Sequence, residues 1–170
     1  MTLWNGEIVP DKGWTCKEVI DKYGESRFIT FNAQMGEFYE KCQVCGKDHV
    51  RFIHIMEHPE YPKPLRVGRV CAGHMEDNND APKERERKVI SRQKLKMNFL
   101  SKDWRYNKND NLYLIYNGKF ITIMKSKYNS SEYGIVYDGK YYSEHNGIKF
   151  ITPTEAEFAA FEIVNPLQIV

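Results

Sequence analysis

Two residue pairs in this chain have the types and spacing of metal ligands: Cys42-x-x-Cys45 and Cys71-x-x-His74. Zinc takes thiolate sulfur and imidazole nitrogen readily, and two such pairs can close a tetrahedral site. Four protein ligands leave no coordination position open, so the expected role of the metal is structural and no catalytic residue is assigned. His74 is the least constrained ligand, because His49, His54 and His58 lie between the two pairs. It is preferred because residues three apart on a helical turn point at one ion, with the same offset that separates Cys42 from Cys45. Disulfides are the competing use of four cysteines, but the first seven residues lack the basic and apolar pattern of a secretory signal. Cys16 has no paired partner and is expected to be a small buried residue.

Several local elements are needed to bring these pairs together. Thr15-x-x-Glu18 reads as a capping box opening a short helix that holds Cys16 and stops at Gly24. Strands over 27–31 and 37–40, around a turn at 32–36, deliver the chain to Cys42. A tight turn at Gly46 follows, then a strand over 50–56, a loop punctuated by Pro59, Pro62 and Pro64, and a strand over 65–70 that ends at Cys71. After a break at 77–80 a long helix is expected over 82–104. Its apolar stripe is Ile90, Met97, Leu100 and Trp104, and its remaining surface is rich in lysine and arginine. The last third reads as two hairpins, turning at Asn117-Gly118 and Asp138-Gly139, then a short strand over 148–151. Thr152-Pro153-Thr154-Glu155 caps a final helix over 155–164. The expected class is therefore α+β, with a zinc module in 1–78, a basic connecting helix in 79–106 and a sheet-plus-helix module in 107–170.

The 170 residues are 41% hydrophobic and 28% charged, ordinary values for a folded domain. No apolar run approaches the ~20 residues that span a bilayer. A cytoplasmic protein without a membrane partner is expected. The net charge of +2 conceals segregation: residues 1–82 carry 10 basic and 13 acidic side chains, 83–127 carry 13 and 4, and 128–170 carry 2 and 6. A basic middle third between acidic ends suits a polyanion, and Arg92, Lys94, Lys96 and Lys102 are the candidate phosphate contacts. Tyr113, Tyr116, Phe120, Tyr133 and Tyr137 are candidates for stacking on bases.

The order of knuckle, hairpin and ligand-bearing helix over 41–77 resembles a treble-clef zinc finger. Cys42-Gln43-Val44-Cys45-Gly46, His54 and Val70-Cys71-Ala72-Gly73-His74 are similar to a group of uncharacterised small zinc proteins of bacteria and phages. The stretch from Tyr133 to Thr152, with Ala156 and Ala159-Ala160, resembles the β-β-β-α domains that bind the arm sites of phage-type integrases, which implies a DNA-binding sheet. Cys45-Gly46, His54 and Cys71-x-x-His74 also occupy places comparable to those of HNH nucleases, but the paired histidines and the loop asparagine of that pattern are missing. These residues point to a non-enzymatic, zinc-stabilised nucleic-acid-binding protein of phage or mobile-element type. The alternative is a protein-binding inhibitor of a host defence complex, of anti-CRISPR or anti-restriction type, contacting a nucleic-acid-processing assembly through the acidic ends. A degenerate HNH-like nuclease is the lesser alternative.

Overall fold

The computed structural model describes residues 2–4, 7–23 and 38–166. Among them the chain is α+β, with small antiparallel sheets and three helices, and it divides into two compact units, residues 1–93 and 94–170. The division falls inside the long helix and not at the polar segment after Trp104, where the sequence suggests a linker.

In the first unit, strands β1 (Thr2–Trp4) and β2 (Glu7–Val9) form a hairpin, and β3 (Thr15–Asp21), β4 (Phe52–His58) and β5 (Tyr61–Val67) form a sheet in that order. The helix expected at Thr15 is instead strand β3. A short isolated helix is marginal in water, whereas β4 offers a full backbone ladder, and Val19 and Ile20 are β-branched. The bulge at Lys17 lets the side chains of Cys16 and Val19 lie opposite Met56 and His54. The strands expected over 27–31 and at 37, with their turn, lie outside the described residues; Glu40 bridges Val50.

β5 begins earlier than its sequence suggests, because Pro62 and Pro64 sit within it. They are tolerated on an edge strand, where no neighbour on the outer side needs their missing N–H. Helix α1 (Arg69–Glu76) follows directly. Its residues Ala72 and Met75 pack with Val9, Trp14, Cys42, Met56 and Val67 into the first core.

Helix α2 (Ala81–Leu100) starts where the Asn78 side chain accepts the amides of Asp80 and Ala81. It is shorter than the expected 82–104, and its buried stripe differs as well. Met97 is 48% exposed while Phe99 is fully buried. Pro82, Glu86 and Phe99 are the buried positions, so the stripe passes through a carboxylate and escapes a purely apolar reading.

The second unit is a five-stranded meander in the order β10-β9-β8-β7-β6, comprising β6 (Arg105–Tyr106), β7 (Leu112–Tyr116), β8 (Lys119–Lys125), β9 (Tyr133–Tyr137) and β10 (Lys140–Tyr142). Asn117-Gly118 and Asp138-Gly139 make both expected turns with positive φ. A third hairpin, β11 (Glu144–His145) and β12 (Ile148–Lys149), turns at Asn146-Gly147. Helix α3 (Pro153–Val164) has the expected capping box: Thr152 Oγ1 accepts the Glu155 amide and the Glu155 carboxylate accepts the Thr152 amide. One face of the sheet meets α3 and Phe99 in a core of Leu114, Ile121, Ile135, Phe150 and Phe161. On the other face the Tyr141 ring lies over Gly134, where an added Cβ would come within 2.2 Å of the Tyr141 hydroxyl. Gly134→Ala is expected to displace that ring at a cost of about 1 kcal/mol. A smaller loss in a Tyr141→Ala background, read from urea midpoints, checks it.

Candidate metal centre

Cys42 arrives from the Glu40 bridge and turns at once. Its carbonyl accepts the Gly46 amide at 3.0 Å and its amide donates to the Lys47 carbonyl at 2.9 Å, with Gly46 supplying the positive φ of 69° that closes the turn. The turn is fastened to the edge of β5, where the Gln43 amide donates to the Arg66 carbonyl and the Gln43 side chain accepts the Arg66 amide. Arg66 in turn forms a two-pronged ion pair with Glu40. α1 supplies Cys71 from its first turn. The result is that the sulfurs of Cys42, Cys45 and Cys71 lie within 4.8 Å of one another.

The surroundings of Cys42 favour a thiolate. Its sulfur accepts a hydrogen bond from the Cys71 thiol and from the amides of Cys45, Gly68 and Val44, and these hold it down to about 4 despite burial. The same bond pushes Cys71 up, with burial and the neighbouring sulfurs adding to it. Three converging thiols with backbone donors aimed at the innermost sulfur can hold a metal ion, and a soft donor set of this kind suits zinc, copper(I) or iron–sulfur chemistry. Metal binding would displace the protons that the cluster shares.

His74 lies three residues beyond Cys71 on α1, as the sequence suggests, but is not part of the 4.8 Å cluster. It lines a hollow of about 380 Å³ with Val44, Cys45, Val70, Cys71 and Asn79, beside the sulfurs. His49 is exposed near the Tyr39 ring, and His58 stacks obliquely on Trp14 at 5.2 Å.

His54 has a different role. It is fully buried, and its Nε2 donates to Glu86 Oε1 at 3.1 Å, since a carboxylate only accepts. Glu86 Oε2 accepts from Arg69 at 3.2 Å, and Nδ1 of His54 faces the Cys16 sulfur at 4.0 Å. Burial raises the Cys16 thiol above its ordinary value. Glu86 is the residue that sequence reading misses: only its position four after Pro82 and three before Val89 would have placed it on the buried stripe.

The chain matches no protein-family model, no curated protein and no solved structure. Its chemistry therefore rests on its own residues.

The four expected phosphate contacts have different surroundings. Lys94 and Lys102 are exposed, and the Lys102 ammonium lies 6.0 Å from the Tyr116 ring centre. Arg92 is half-buried. Lys96 has a side chain only 23% exposed, bonded to Glu162 at 2.8 Å and set against the Phe158 and Phe161 rings, so it is already engaged within the second unit. Folding also brings carboxylates to Lys83, Arg85, Arg87 and Lys119, from Asp80, Glu76, Glu84 and Asp138. The charge of the middle third is thus partly neutralised by residues on either side of it and by Glu84 within it. No helix among the described residues is long and apolar enough to cross a membrane.

Proposed function

We propose that this chain is a non-enzymatic, zinc-stabilised protein that binds nucleic acid through the second unit. The observation that carries this reading is a set of exposed cations without a carboxylate partner among the described residues: Lys94, Lys102, Arg105, Lys108, Lys125 and Lys127. Within this unit salt bridges occupy Lys96, Lys119 and Lys149, which leaves these six, together with Lys140, to meet phosphates and release counterions. Zinc is the metal proposed for Cys42, Cys45 and Cys71. A side-chain rotation of His74 across the adjoining hollow would complete a treble-clef-like tetrahedral site.

Burial of His54 supports the non-enzymatic reading. A general base must come within hydrogen-bond reach of its substrate, and this ring is sealed behind Glu86. We expect affinity for a labelled oligonucleotide to fall steeply with salt. Replacing Lys94, Lys102, Lys108, Lys125 and Lys127 by glutamine should lower the slope of log K against log salt by about 3–4. Anisotropy titrations at two or more salt concentrations measure it. Lys96→Gln alone should leave the slope unchanged, because its charge is used internally. No binding at low salt contradicts the proposal and points to protein partners instead.

A further inference from the structure

The antiparallel meander determines which residues meet at one end of the second sheet. β7 begins where β8 ends and where β9 begins, so the connections 107–111 and 126–132 lie at the same end. They bring Lys108, Lys125 and Lys127 together there. Directly opposed residues of an antiparallel pair share a face. Arg105 opposes Tyr113, Ile115 opposes Phe120, and Tyr141 opposes Val136, which places these side chains on the face away from α3.

Among the described residues that outward face is aromatic and exposed at Ile115, Phe120 and Tyr141. Phe120 is 61% exposed and Ile115 55%, and the rings of Tyr113 and Phe120 stand 6.1 Å apart on adjacent strands. The folded structure separates the five aromatic candidates sharply. Tyr116 is in the core, and Tyr133 and Tyr137 pack against it from the α3 side, leaving only Tyr113 and Phe120 available. No outward position on β6–β10 carries a carboxylate, whereas Arg105 lies on the face; Lys108 and Lys127 stand in the connections at its end, beside Asp110 and a Glu132 already paired with Lys149, and Lys125 reaches the same end from the α3 side, opposite Tyr133.

From this juxtaposition we infer that the outward face of the second sheet is a stacking platform for single-stranded nucleic acid. Exposed π-faces next to unpaired cations fit a ligand that carries flat apolar rings and anionic linkers at once. A second copy of this chain would bring the same cations against themselves. A duplex would offer the phosphates but keep its bases stacked inside, out of reach of Tyr113 and Phe120. The inference rests on the proposed nucleic-acid function and names the form of its ligand.

The test uses the full metal-loaded chain with labelled oligo-dT, oligo-U and a duplex of the same length, alongside the double variant Tyr113→Ser, Phe120→Ser. Both side chains lie outside the core, so the thermal midpoint should be unchanged. Single strands should bind at least about tenfold more tightly than the duplex. The double variant should lose about tenfold or more of that affinity with the salt slope unaltered, whereas Lys108→Gln, Lys125→Gln, Lys127→Gln should reduce the slope. Equal binding by the double variant and the parent overturns the platform while leaving a phosphate-binding protein in place. Binding of none of the three probes at low salt overturns both readings. A self-associating parent made monomeric by the ring substitutions overturns it in favour of a homotypic interface.

Discussion

Cys42→Ser is expected to abolish metal binding and unfold the first unit around the cysteines, while the second unit stays folded. Structural zinc contributes an apparent ~10–16 kcal/mol in small modules, against a typical domain stability of about 5–15 kcal/mol. A serine that cannot replace the innermost thiolate should therefore shift the first unit from folded to unfolded. Cys42 also takes part in the core with Val9, Trp14, Met56 and Met75, so loss of the metal loosens the packing beneath it. The second unit has its own buried cluster, which contains no cysteine. Hydrogen exchange should show protection lost across 38–76 and retained across 112–164. Acid should act in the same direction, because ligand thiols must lose protons to bind metal and affinity falls as pH falls. Cys16→Ser should keep the metal, its sulfur being outside the cluster.

His54→Ala should cost about 3–5 kcal/mol, the loss of a hydrogen bond to a buried charged group added to a large-to-small cavity in the core. The substitution strips a buried carboxylate of its imidazole donor and leaves a cavity on the central strand β4. Replacing both partners, His54→Leu with Glu86→Leu, should restore most of that loss, since apolar side chains of similar volume need no hydrogen bonds. Urea unfolding at fixed free zinc compares the three proteins. A single-variant loss below about 1 kcal/mol would show that His54 and Glu86 are not coupled in a dry interior.

The residues that determine their own backbone geometry were the most legible in the sequence. Asn117-Gly118, Asp138-Gly139 and the Thr152–Glu155 box each encode a local conformation, and each forms where its residues require. The Cys-x-x-Cys turn is of the same kind. Thr15-x-x-Glu18 is the counterexample, because its capping signal was overridden by a strand partner about forty residues away, which no local pattern reports. The proline-bearing strand β5 was hidden for a related reason: only its edge position makes Pro62 and Pro64 acceptable. Glu86 and Lys96 were illegible because each is a charge whose partner, His54 or Glu162, comes from a distant segment. The partial pairing of the charge block at 83–127 was hidden on the same account.

The most direct test is the metal content of freshly purified protein, measured by inductively coupled plasma mass spectrometry beside Cys42→Ser. About one zinc ion per chain in the parent, and almost none in the variant, is the expected result. Well under one metal ion per parent chain, in protein that is nevertheless folded across 38–76, would contradict a metal-built first unit.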